Sequence, residues 1–157
     1  MTTAVVEPWV GPPVQKFVED ARVVLAVLLH PNGQVMAQHG FARAVDVMAA
    51  CALAAAINAS SAELGRQLEG APFRELHHGG QGRQLFLAPA QTKRGTYLLL
   101  TVFDAETSLG LVRLYFEEFC AALAAAAPTP PRGLGPVLAG NFEQELNQNL
   151  AVLFGRG

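Results

Sequence analysis

Apolar positions recur at two periods along this chain, and the switches between them lay out the fold. Val14, Phe17, Val18 and Ala21 have helical spacing, so residues 14–21 read as a short helix. Residues 22–30 follow as a nearly continuous apolar, β-branched run, the pattern of a strand buried on both faces. Pro31-Asn32-Gly33 is a turn, because Pro presets φ while Asn and Gly tolerate positive φ. Residues 34–39 should then return antiparallel, as a hairpin.

Residues 45–68 read as one long helix, stopped by Gly70 with Pro72 just beyond. Three strands are expected at residues 73–78, 83–88 and 96–103, with turns at Gly79-Gly80-Gln81-Gly82 and over residues 89–95. Ser108 can cap another helix over residues 109–126, with Val112, Phe116, Phe119 and Leu123 in its apolar stripe. Pro128, Pro130 and Pro131 end it, and residues 128–140 are a Pro/Gly linker. Asn141 and Gln144 make a capping-box start for a C-terminal amphipathic helix within residues 141–157. Phe142, Leu146, Leu150, Leu153 and Phe154 line its apolar face, opposite Glu143, Gln144, Asn147 and Gln148. The expected organisation is a tail over residues 1–11, one α+β domain over residues 12–127, the linker and the last helix. The domain should hold a five-stranded antiparallel sheet layered between helices.

Composition sharpens this picture. Apolar residues are 51% and charged residues 15%, against an ordinary charged share of about a quarter, so the domain is short of polar surface. Such a domain tends to cover part of itself with another chain. The net charge of −2 and scattered basic residues offer no stripe for nucleic acid or anionic lipid. Residues 1–10 contain Glu7 and no basic stretch, so no signal peptide is expected. The longest apolar run, residues 47–57, is mostly Ala and far below the roughly 18 residues of a membrane span. Cys51 and Cys120 lie far apart in expected helices, which favours buried thiols and a reducing cytoplasm over a disulfide.

The long helix is apolar on two sides. At about 100° per residue, Leu53, Ile57, Leu64 and Leu68 share one side, which is expected to lie on the sheet. Met48, Ala52, Ala55, Ala59 and Ala62 fall roughly opposite, continued by Glu63 and Arg66. A surface helix should show charge there. Either another helix of the same chain covers this strip, or it is a protein interface; the second reading is adopted.

Catalytic motifs fail. Gly79-Gly80-Gln81-Gly82 lacks the Lys and following helix of a phosphate-binding loop. His77 and His78 are adjacent on a strand, so they point to opposite faces and cannot share a metal. Ser60 and Ser61 have no identifiable base. No cofactor, metal or active site is expected.

The chain resembles the Roadblock/dynein light-chain family, specifically its bacterial MglB-type members. The resemblance is carried by residues 45–47 and 58–65 of the long helix, by residues 103–114 from Phe103-Asp104-Ala105 to Arg113-Leu114, and by residues 73–79. It implies roadblock (profilin/longin-like) layering and a homodimer in which the strands over residues 73–78 pair, with contacts at Phe73, Glu75, His77 and Ala56. It also implies that the helical face receives a Ras-like small GTPase of the MglA type, through Met48, Ala52, Ala55, Ala59, Glu63 and Arg66, and accelerates GTP hydrolysis. A dimeric scaffold without such stimulation is the alternative. Phe142, Leu146, Leu150 and Phe154 are the docking residues of the C-terminal helix, whose seat stays open between a partner, its own domain and a dimer mate.

Overall fold

The computed structural model describes residues 3–129. Its elements are β1 (Thr3–Val5), a 3-10 turn (Pro8–Val10), α1 (Gly11–Ala21), β2 (Leu25–Leu29) and β3 (Val35–His39). After them come α2 (Ala44–Glu69), β4 (Leu76–Gly79), β5 (Gln84–Thr92), β6 (Gly95–Phe103) and α3 (Leu109–Ala126). The linker and C-terminal segment, with Phe142, Leu146, Leu150 and Phe154, lie outside the described residues.

The fold is α+β, and its sheet has six strands where five were expected, in the order β1-β3-β2-β6-β5-β4 with every neighbour antiparallel. The extra strand comes from the stretch expected as a tail. Ala4 and Val5 pair with Gln38 and Ala37, and the Val6 amide continues the contact to the Met36 carbonyl at 2.8 Å. The stretch is then pinned by Trp9, whose indole donates to the Glu7 carboxylate and whose ring meets Tyr97 edge-on at 5.9 Å.

The turns form for the reasons their residues suggest. Asn32 Oδ1 accepts from the Gln34 amide at 2.9 Å, and Gly33 takes φ 95°, closing the β2–β3 hairpin. The β5–β6 hairpin is tighter than the broad turn expected over residues 89–95. β5 runs on through Pro89, which pairs with Leu98, and turns only after Thr92. Proline is tolerated there because β4 pairs only with residues 84–87, leaving β5 an edge strand from Pro89 onward.

The sheet is covered on both faces. On one, Val14, Phe17 and Val18 of α1 and Val112, Phe119 and Leu123 of α3 enclose Leu28, Phe86, Leu99 and Phe103. Phe17 and Phe119 lie 5.6 Å apart, and Phe86 meets Phe116 at 5.3 Å. On the other face, among the described residues, Val27, Leu29, Leu87, Leu98 and Leu100 are covered by α2 alone, through Val47, Cys51 and Ala54.

This overturns the expected orientation of the long helix. Leu53, Ile57, Leu64 and Leu68 do not lie on the sheet; they are 65, 38, 51 and 68% exposed. The side against the sheet is instead a row of small or polar residues: Val47, Cys51, Ala54, Asn58, Ser61 and Gly65. The reason is close approach. A Cβ on Gly65 would stand 2.5 Å from the Phe73 nitrogen and 2.7 Å from the Ala71 carbonyl oxygen, so the returning chain passes directly beneath this glycine. That passage also shortens the next strand. Phe73 and Glu75 belong to the connection, and only Leu76–Gly79 of the expected strand over residues 73–78 pairs with β5.

Gly65→Ala is therefore expected to destabilise the fold, although Ala is the better helix former by about 1 kcal/mol. The clash is with backbone, which cannot step aside, and a loss of roughly 1–3 kcal/mol should appear as a lower urea midpoint at unchanged slope.

Candidate partner-binding surface

Since α2 is the only helix on its face of the described sheet, three of its sides reach solvent. The flank toward β1 and β3 carries Met48, which is 68% exposed. The crest carries Ala52, Ala56, Ala59, Glu63 and Arg66, all exposed. The flank toward β4 carries Leu53, Ile57, Leu64 and Leu68. Of the six residues expected to meet a partner, five share the outer surface. The sixth, Ala55, is half-buried and packs against the core under α2, which makes it a poor contact residue.

The four residues expected at a dimer interface come together. Ala56, Phe73, Glu75 and His77 line one open groove of about 560 Å³, with Ile57, Ser60, Ser61, Leu64 and Leu76. The groove lies between α2 and β4, and β4 is an outer strand with one edge unpaired among the described residues. Glu75 and His77 border it with their backbone, while their side chains turn to the opposite face, toward α3 and Phe103. Glu75 receives Arg113 Nε at 2.6 Å, and His77 Nε2 lies 2.8 Å from Gln84 Oε1 with its ring stacked on Phe103. His78 is exposed, and its register partner is Leu85 where that of His77 is Phe86. The two imidazoles thus alternate, as adjacent strand residues must.

Charge plays a small part on the crest. Arg66 is engaged by Glu63 at 3.2 Å, and Gln67 donates to the same carboxylate at 3.4 Å. An exposed pair of this kind is worth about 0–1 kcal/mol, so a partner could separate it at little cost.

By length and composition α2 could cross a membrane: it has 26 residues, and its most apolar 18-residue window has mean hydropathy 1.5. It is instead laid along the sheet, and the strands on either side of it in sequence, β3 and β4, belong to that same sheet. Its surplus apolar surface is better matched to a protein than to lipid. No group of three metal-binding side chains occurs among the described residues.

Sequence reasoning missed the Leu flank and β1. The small-residue row did carry a usable signal, since its members follow one another at spacings of four and three residues and end on a mid-helix glycine.

No protein-family model and no curated protein sequence matches the chain. Solved structures do. Myxococcus xanthus MglB aligns with TM-score 0.68 and 24% identity over 75% of this chain and 94% of its own. The gliding protein MglB of Thermus thermophilus gives 0.67 and 22% over 81% and 98%. A Roadblock/LC7 domain from Streptomyces avermitilis gives 0.59 and 18% over 76% and 95%. The chain thus has the roadblock fold, as the resemblance implied.

The cysteines stand apart from this surface. Burial pushes the Cys51 thiol up to about 11 from an ordinary 9.0, and burial with the nearby Glu117 carboxylate pushes Cys120 to about 11. Well below pH 9 both thiols are protonated whether the chain is folded or not. As pH rises from 9 toward 11 the unfolded chain ionises first, so stability falls. Urea unfolding at pH 8 and pH 10 should show that decline, and Cys51→Ala with Cys120→Ala should make it shallower. Native-state alkylation at pH 8 should be slow.

Proposed function

We propose that this chain is a homodimeric regulator that binds a Ras-like small GTPase of the MglA type and accelerates its GTP hydrolysis. The observation that carries this reading is the uncovered apolar surface of α2 beside the free edge of β4, on a fold shared with MglB structures.

The surface divides between two occupants. The Leu flank and the β4 groove suit a second copy. Two β4 edges can exchange backbone hydrogen bonds, and Leu53, Ile57, Leu64 and Leu68 of each copy then leave water together. Fully burying such a side chain contributes about 1.5–3 kcal/mol, so four per copy outweigh a modest loss of association entropy. Dimerisation also places the two α2 crests side by side, doubling the surface formed by Ala52, Ala56 and Ala59. Methyl groups let a partner backbone approach closely, while Glu63 and Arg66 at one end and Met48 at the other supply direction.

A regulator built this way brings no acid, base or metal to the reaction. Nucleotide and Mg²⁺ belong to the GTPase, and the regulator acts by favouring one arrangement of its mobile switch segments. Acceleration then follows from differential binding: the crest must fit the hydrolysis-competent arrangement better than the resting one.

Two substitutions separate the roles. Leu64→Asp should convert the dimer to a folded monomer by light scattering, because a carboxylate would be desolvated without a partner. Ala59→Arg should leave the dimer intact and abolish stimulated phosphate release from the purified GTPase. An unchanged dimer in the first variant would sink the assignment of the Leu flank. Binding without faster phosphate release in the unaltered protein would leave a scaffold in place of an activator.

A further inference from the structure

A second apolar groove lies on the opposite flank of α2, where neither the second copy nor most of the crest reaches. It has a volume of about 330 Å³, and its wall is built from Ala4 and Val6, from Val35, and from Val47 and Met48, over the β3 backbone at Met36. Val6 and Met48 are 59 and 68% exposed, which is unusual for side chains that line a concave apolar site. Among the described residues no charged side chain lines it. We propose that this groove is the docking seat of the chain's own C-terminal segment, with Leu146 and Leu150 as its central anchors.

Three observations select that occupant. The first is pattern: Phe142, Leu146, Leu150, Leu153 and Phe154 fall within a sector of about 120° at 100° per residue, opposite Gln144 and Gln148 and with Glu143 as its one charge, so a helix here presents a nearly continuous apolar stripe to an uncharged groove. The second is where the described chain ends. The end of α1 feeds β2, whose Leu25 pairs with Val102 of β6, and α3 starts just after β6 ends at Phe103. The end of α1 and the start of α3 therefore share one end of the sheet. α3 also packs along α1 and against the Pro8–Val10 turn, so its last residues lie beside that turn, which directly follows Val5 and Val6. The segment thus leaves the domain next to the edge that carries the groove.

The third is reach. Residues 128–140 span roughly 45 Å at full extension, enough to pass round the β1 edge from one face to the other. In a dimer joined at β4, the mate's groove lies across about eleven strand spacings of about 4.8 Å, beyond that tether. The local groove wins on effective concentration. The inference rests on the groove and the chain's length, not on the GTPase reading. The two meet only at Met48, where a seated segment and a partner would exclude each other.

The test uses the full chain with ¹³C-methyl methionine. Of three methionines, Met48 flanks the groove, while Met36 is buried in the core on the other face of the sheet and serves as an internal reference. Leu146→Asp with Leu150→Asp should move the Met48 methyl signal to the position of a solvent-exposed methionine and leave Met36, in the opposite core, where it was. Gln144→Glu with Gln148→Glu, the same charge change on the opposite side, should move neither. An unmoved Met48 in the first variant overturns the proposal. So does recovery of its signal when unlabelled intact protein is added, because the seat would then take another copy's segment. A covalent readout guards against loss of folding. On a Cys51→Ala, Cys120→Ala background, Met48→Cys with Leu150→Cys should close an intrachain disulfide roughly tenfold or more faster than Met48→Cys with Gln148→Cys. Equal rates would also overturn it.

Discussion

Everything on the helical face of this protein depends on how closely α2 can approach what lies beneath it. At Gly65 the helix touches the backbone of residues 71–73 with no room for a methyl group. Earlier in the helix Ala52 rests in ordinary contact on Gly33 of the β2–β3 turn, 3.7 Å from a Cβ placed on it. The approach at Gly65 fixes the rotation of a helix whose composition alone would leave it free to roll. The small side is pressed inward because only it fits, and the large apolar side chains are turned out because there is no space for them underneath.

That constraint separates what was legible in the sequence from what was not. The three main helices and the five central strands follow from periodicity and turn chemistry, and Pro31-Asn32-Gly33 behaves as its residues dictate. The rotation of α2 does not follow, because periodicity discriminates faces by contrast and this helix has almost none. Met48 and Leu53 are equally hydrophobic answers to the question of which side is buried, and neither is. The decisive residue was Gly65, whose meaning depends on a chain segment that comes later in the sequence. β1 was illegible for a different reason: three residues followed by Pro8 are too few to show alternation, and only pairing with β3 defines them. Of the candidate site, the crest was legible because alanines where charge belongs are conspicuous, whereas the Leu flank was assigned to the wrong side.

The division of the two cores is the other consequence. α1 and α3 meet the sheet with aromatic rings, Phe17, Phe116 and Phe119, and seal it. α2 meets the opposite face with Val47, Cys51 and Ala54, and leaves both flanks open. One layer is finished within the chain; the other is made of a helix too narrow for the sheet it covers. The apolar surface left over is a property of that mismatch and not of any single residue.

The unequal edges of the sheet bear on how far association can go. β4 offers four residues and a groove beside them, while β1 offers three and leads at once into Pro8 and a 3-10 turn. An assembly built on β4 matches a patch with the identical patch of another copy, so each new contact consumes both adhesive edges. What then faces outward at either end is the stub of β1, too short to template a further strand. An assembly of that kind would close at two through this sheet, and exposed hydrocarbon beside β4 would be spared the open-ended stacking that leads to fibres.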